Sequence, residues 1–129
     1  MKKLFVFIVL TMLTLNMSAQ VYRFVSTAQV IVDVDFSTTT WHDKVYLTFD
    51  YDKKIITLSS AKGQRYIFKM ISAYEKESIL LGKTMNILVS STDAPNVKRF
   101  YFNADGSFKV IWMENKDGKV TTFGNLIVL

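Results

Sequence analysis

Between Val97 and Val128 apolar side chains recur at every second residue on either side of two glycine-bearing turns, the layout of antiparallel hairpins. Phe100 and Phe102 precede Asn103-Ala104-Asp105-Gly106, and Phe108, Val110 and Trp112 follow it. A two-residue period places side chains on one face of a strand, so the spacing predicts that Phe100, Phe102, Phe108, Val110 and Trp112 are buried together as facing partners. The Asn and Asp side chains bond their own backbone and the glycine accepts a positive φ, which closes the turn. Asp117-Gly118 repeats the device before the last run, Val120 to Leu129.

The same rhythm fills the chain before it. Val30, Val32 and Val34 alternate with Ile31, Asp33 and Asp35, so Val21 to Asp35 reads as a strand with one wet face. Ser37 to Thr40 is polar and reads as a loop or an edge. Val45, Leu47 and Phe49, then Ile56 and Leu58, then Tyr66, Phe68 and Met70 each share a face, separated by Tyr51-Asp52-Lys53 and Ala61-Lys62-Gly63. Ser72 to Lys83 lacks the alternation and reads as irregular, with a short strand as the alternative, whereas Met85, Ile87 and Val89 restore it. Pro95 marks a loop. No helical period runs for more than about one turn, so the expectation is an all-β domain of about eight strands. Sequential hairpins predict an up-and-down meander that hides its edges by curling into a small barrel or strongly curved sheet, with a two-sheet sandwich as the alternative.

Residues 1–19 read as a signal peptide and residues 20–129 as a single domain. Lys2 and Lys3 form a basic start, Leu4 to Leu15 an apolar run too short for the ~20 residues of a membrane-crossing helix, and Ser18 and Ala19 a small-residue cleavage site. The expectation is export to the periplasm or beyond, with no stable membrane span after cleavage. The sequence holds no cysteine, so neither a disulfide nor a lipid-bearing cysteine is available, and packing alone must hold the fold. Without Lys2 and Lys3, 14 of the 16 basic residues stand against 11 acidic ones, a net charge of +3. Both signs are interspersed, with no basic run longer than Lys53-Lys54 or Lys98-Arg99, which excludes the clustered patch of a nucleic-acid binder.

Candidate chemistry is sparse. His42 is the only histidine, no Gly-x-Ser-x-Gly elbow accompanies it, and Ser37, Ser59, Ser60, Ser90 and Ser91 sit in ordinary strand-end or loop contexts. With one histidine and no cysteine, a transition metal would need carboxylates for nearly all its ligands. Asp33, Asp35, Asp43, Asp50 and Asp52 supply the hard oxygens that calcium prefers, but their plainer reading is turn-shaping and solvation, and Asn103 to Gly106 lacks the closing glutamate of a calcium loop. Glu75, Glu77 and Glu114 are the only glutamates available as a glycosidase pair. The reading is therefore no enzyme, no catalytic or metal residue, no cofactor, and no ligand-binding residue that the sequence can assign.

What the chain has in surplus is aromatic side chains, 14% of its residues, some on both faces of one strand as in Phe100-Tyr101-Phe102 and Val110-Ile111-Trp112-Met113. A second layer, a partner or a ligand must cover such a two-sided strand. With Met17-Ser18-Ala19-Gln20, Trp41, the runs Val45 to Asp50, Lys54 to Ser59 and Gln64 to Phe68, and the late Asp-Gly hairpin, the chain resembles the short exported all-β proteins of unknown function common in Bacteroidetes. In outline it is also similar to small lipocalin-like barrels, without their Gly-x-Trp signature. The resemblance carries no catalytic motif and no site residue; the aromatic surplus without chemistry is what points to an exported, non-enzymatic domain that binds a small apolar ligand, a glycan or a protein. The competing expectation is an envelope assembly protein that pairs through an edge strand such as Val120 to Leu129.

Overall fold

The computed structural model describes residues 21–104 and 109–129. Every regular element among them is a strand: β1 (Val21–Ser26), β2 (Ala28–Val32), β3 (Thr38–Trp41), β4 (Val45–Asp50), β5 (Ile55–Ser60), β6 (Arg65–Ser78), β7 (Gly82–Ser90), β8 (Val97–Asn103), β9 (Ile111–Asn115), β10 (Val120–Gly124) and β11 (Ile127–Val128). They form one antiparallel sheet in the order β11-β1-β4-β5-β6-β7-β8-β9-β10-β2-β3. The fold is all-β. No helix of the described residues is long and apolar enough to cross a membrane. The signal-peptide reading and the expected turn and core positions Asp105, Gly106 and Phe108 lie outside the described residues.

Among the described residues the strands number eleven where the sequence counts about eight, and the hydrogen-bonded order runs open from β11 to β3. The extra elements come from breaks inside long runs. Thr27 alone separates β1 from β2, residues 42–44 separate β3 from β4, and Asn125 and Leu126 separate β10 from β11. The ladder keeps its register across the breaks: Phe24 faces Val128 and Val25 faces Ile127, then Ala28 faces Gly124 and Val32 faces Val120. On its other side the same run meets β4, with Ser26 opposite Val45, and then β3, with Gln29 opposite Trp41.

Buried polar side chains take over where the ladder lapses. The Ser26 hydroxyl, wholly buried, donates to the Gly124 carbonyl at 2.7 Å. The Gln29 amide, 4% exposed, donates to the Asp43 carbonyl at 2.8 Å and accepts from the Asp43 N–H at 3.3 Å. A buried backbone group left unpaired costs about as much as a lost hydrogen bond, so these two side chains let the strands bend without that cost. Asn125 takes the turn at φ 49, a left-handed position that asparagine tolerates better than most residues.

The alternation read from the sequence places Leu47, Phe49, Ile56, Phe68, Met85, Ile87 and Val89 on the packed face, and all are buried. There the aromatic surplus is used. Phe49 meets Phe24 at 6.0 Å and both Phe100 and Phe102 at 6.1 Å, edge to face, and Phe68 meets Phe100 at 5.1 Å. Each such pair adds about 0.5–1.5 kcal/mol beyond its buried area. Phe49 belongs to β4 and its partners Phe100 and Phe102 to β8, so the sheet curls until its two halves pack on each other.

Of the two readings of Ser37 to Thr40, loop or edge, the structure has the edge: Thr38 to Trp41 is strand β3 at the end of the sheet order, a polar and exposed position that threonine fits without burial. Two expectations are corrected. Ser72 to Ser78, read as irregular with a short strand as the alternative, continues the long strand β6, and Gly82 and Lys83 begin β7. Beyond Met70 this part of β6 pairs only with β7 and is largely exposed on both faces, so nothing selects an alternating pattern there. The second correction concerns Trp112. Phe102 faces Ile111, Tyr101 faces Trp112 and Phe100 faces Met113, so Ile111 and Met113 point to the core and Trp112 to the opposite face. The connection from Ala104 to Val110 sets the register, and a slip of one residue exchanges the two faces of β9.

Tyr51, half-buried at the phenylalanine end of the core and 5.7 Å from the Tyr22 ring, has its phenol pushed well above the ordinary value, first by burial and then by Tyr22. A raised folded value means the stabilisation is complete below pH ~10, where the unfolded tyrosine titrates, and is lost as pH climbs toward the folded value. Alkaline unfolding should steepen by about 1.4 kcal/mol per pH unit above pH ~10 for this one proton. Denaturant midpoints of Tyr51→Phe across that range should show a shallower slope; an unchanged slope would contradict the assignment.

Candidate functional site

A pocket of about 300 Å³ opens at the end of the sheet that carries the β5–β6 turn. One wall comes from β4, β5 and β6 through Val45, Leu58 and Tyr66, the other from β2, β9 and β10 through Ile31, Met113 and Phe123. These are packed-face positions of the two halves of the sheet. The far end of the same space is filled by Phe24, Phe49, Phe68 and Phe102, all buried. Small residues at the open end, such as Ser60 and Thr121, leave room where phenylalanines close the other.

The polar groups in the pocket are Gln29, Asp43, Ser59, Ser60, Gln64 and Thr121. Gln29 is committed to Asp43 and Ser26, and so holds the wall rather than offering itself to a ligand. Ser60 differs: its backbone N–H donates to the Gln64 carbonyl at 2.9 Å and its carbonyl accepts from Gly63 at 3.0 Å, but its hydroxyl is buried without a hydrogen-bond partner. Asp43 is the only charged residue of the lining, and its nearest cation, Lys62 Nζ, is 4.0 Å away on an exposed side chain that contributes little. Half-exposed Trp41 contributes an aromatic surface.

The residues singled out by the sequence are not gathered here. His42 is exposed in the break between β3 and β4, outside the pocket lining, and no hydrogen bond among the described residues joins it to a serine. Asp33 and Asp35 shape the β2–β3 turn, where the Asp35 carboxylate accepts from the Ser37 hydroxyl at 2.6 Å and is held below its usual range chiefly by that bond. Asp50 sits at the opposite end, accepting from Lys53 N–H at 3.1 Å. No group of three potential metal ligands forms among the described residues. Glu75 and Glu77 lie on β6 and Glu114 on β9, three strands away in the sheet order.

Glu114 is instead the partner of Arg99 on the face away from the core, with side chains 19% and 16% exposed. Arg99 also donates to the Asn86 side-chain oxygen at 2.6 Å and lies 4.7 Å over the Tyr101 ring, which stacks on Trp112 at 5.1 Å. Asn86, 1% exposed, donates in turn to the Thr84 hydroxyl at 3.1 Å. Burial opposes the Arg99 charge, but hydrogen bonding and charge from Glu114 outweigh it and keep the guanidinium protonated. This lattice is what the two-sided strand Phe100-Tyr101-Phe102 needs: one face buries phenylalanine, the other stacks tyrosine between arginine and tryptophan.

The sequence reading missed Ser60, Leu58 and Thr121 as pocket residues. Nothing local marks them, since a serine at a strand end looks alike whether its hydroxyl meets water or an apolar wall. No protein-family model matches the chain, and neither a curated protein nor a solved structure is found to be similar to it.

Proposed function

We propose that this is an exported, non-enzymatic binding protein whose sheet closes as an eight-stranded up-and-down barrel, solid at its phenylalanine end and open at the other to a small, uncharged, largely apolar ligand. The observation that carries the reading is the pocket at the open end with the unpartnered Ser60 hydroxyl in its wall. Closure is supported by the unbroken register of β1–β2 with β11–β10 on one side and by its pairing with β4 and β3 on the other. A pocket of about 300 Å³ is at the small end of the range for ligand sites, and its mainly apolar walls with a few placed polar groups fit that class. One carboxylate and no cation in the lining favour a neutral molecule over an anion.

Assembly through the last strand is less well supported, because β10 is hydrogen-bonded on both sides, to β9 and to β2, and of that run only the two-residue β11, paired with β1 alone, is left with a free side. The longest stretch without a second partner among the described residues, Ile71 to Ser78 of β6, carries a register shift and three charges, devices that blunt an edge.

The test is a trade-off at Ser60. A buried hydroxyl without a partner costs stability, so Ser60→Ala should raise the unfolding free energy of the empty protein by about 1 kcal/mol. The same change should weaken binding of the ligand that native mass spectrometry finds on protein purified from its own host, by about tenfold, the worth of one hydrogen bond. A host-purified protein that carries no bound mass, or a Ser60→Ala protein that binds as the parent does, would remove the basis for this reading.

A further inference from the structure

We propose that a second cleft, on the outer face of β1, β4, β5 and β6, binds a small hydroxylated anion: a sugar or polyol that carries a phosphate or carboxylate group. The cleft measures about 480 Å³ and differs in chemistry from the apolar pocket, so the inference does not rest on the reading of that pocket. Leu47, Phe49 and Ile56 are buried in the core, so Thr48 and Thr57 beside them point the other way.

Register builds the cleft. Arg23 of β1 faces Thr48 of β4, Thr48 faces Thr57 of β5, and Thr57 faces Ile67 of β6. Residues directly opposite share a face, so the two threonines form a low floor between the longer side chains of Arg23 and Ile67. Ser59 faces Arg65 on one side of this row; on the other, Asp50 faces Ile55, and Lys53 of the β4–β5 turn joins the lining. The hollow thus comes from side-chain length, with short hydroxyl residues on two central strands and long cationic ones around them.

The polar groups suit a guest rich in acceptors. Arg23, Lys53 and Arg65 line the cleft with Asp50 as the one carboxylate, three cations against one anion. Outside the lining, Lys69 opposite Ile55 and the turn residues Lys54 and Asp52 keep the excess positive. Among the described residues the ion pairs are Lys62 with Asp43, Arg99 with Glu114 and Lys119 with Asp33, so none of the three cleft cations is paired. The Thr48, Thr57 and Ser59 hydroxyls likewise have no hydrogen-bond partner among the described residues, whereas Asp50 is taken by the Lys53 N–H at 3.1 Å. Arginine and lysine only donate, and charge-assisted bonds to phosphate or carboxylate oxygens are the strong ones.

Size and lining select the body of the guest. The volume is far larger than a bare phosphate needs and falls within the ~300–1,000 Å³ of small-molecule sites. No aromatic residue lines the cleft, so a nucleotide base or a nucleic-acid strand has nothing to stack on. The hydroxyl groups of a sugar or polyol meet those of the threonines and Ser59, and its C–H surface meets Ile55 and Ile67.

The test is isothermal titration calorimetry at low salt with inositol monophosphate, glucuronate, inorganic phosphate and inositol as probes. At least one of the two hydroxylated anions should bind one-to-one with Kd below about 1 mM, at least tenfold tighter than inorganic phosphate or inositol, and the arm that binds identifies the anionic group. Arg23→Gln with Arg65→Gln should weaken that binding at least tenfold and leave the thermal midpoint unchanged, since both side chains are exposed. Asp50→Asn keeps an acceptor for the Lys53 N–H but removes the opposing charge, and should strengthen binding severalfold. Ser60→Ala, in the apolar pocket, should leave it unchanged, so the two sites fail separately. Three results would overturn the proposal: no binding of either hydroxylated anion, inorganic phosphate bound as tightly as they are, or an arginine double variant that binds as the parent does.

Discussion

Phe100→Ala is expected to cost about 3–5 kcal/mol, a large share of the ~5–15 kcal/mol that holds a domain of this size. Phe100 has no exposed surface and joins the two halves of the sheet, with its ring 5.1 Å from Phe68 of β6 and 6.1 Å from Phe49 of β4. Truncation removes the transfer energy of the ring and both edge-to-face contacts, and leaves a cavity whose walls are strands tied on both sides and unable to collapse. Trp112→Ala supplies the contrast. Trp112 is a larger side chain, but it lies on the opposite face of β9 and stacks on Tyr101, so its loss should cost only about 1 kcal/mol. Guanidinium midpoints of the two variants decide the matter. A Trp112→Ala protein less stable than Phe100→Ala would mean that the β8–β9 register is shifted by one residue.

Glu114→Leu should cost about 2–3 kcal/mol, the second large effect. It strands the Arg99 guanidinium, four-fifths or more covered, with the Asn86 oxygen, the Tyr74 hydroxyl and the Tyr101 ring but no carboxylate to answer its charge. Breaking one side of a covered ion pair costs several kcal/mol, with the residual exposure of this pair lowering the figure. Arg99→Leu combined with Glu114→Leu should recover most of the loss, because two apolar side chains between Tyr101 and the strand surface leave no charge unpaired. A double-mutant cycle measures this directly. Additive losses in the double variant would show that the pair and the aromatic stack do not act together.

Much of the fold is legible in the residues themselves, and where legibility stops is instructive. The packed face of β4 to β7 follows from counting by two, since Leu47, Phe49, Ile56, Phe68, Met85 and Ile87 are buried as their spacing demands. The same counting errs at Trp112, because it was carried through a connection whose length, not its composition, decides which face comes next. It leaves β3 open between loop and edge and reads the outer half of β6 as irregular, since strands exposed on both faces need no alternation to exist. The candidate acids and His42 looked available on the page, yet folding spends Glu114 on Arg99 and Asp35 on Ser37 and leaves the others apart.

By itself, the sequence determined the class, the turns at Ala61-Lys62-Gly63 and Asp117-Gly118, and most of the core face, because period and turn chemistry act over a few residues. Tertiary structure alone decided that Ser26 and Gln29 bridge the strand breaks, that Arg99 is answered by Glu114, and that Ser60, in the lining of a pocket, has its hydroxyl buried without a partner. Each of these depends on groups distant in the chain meeting in space. Ser26 lies 98 residues from Gly124, and no local preference encodes such a contact. The net worth of a hydrogen bond or an ion pair rests on what surrounds it after burial, which is a property of the packed sheet and not of any one segment.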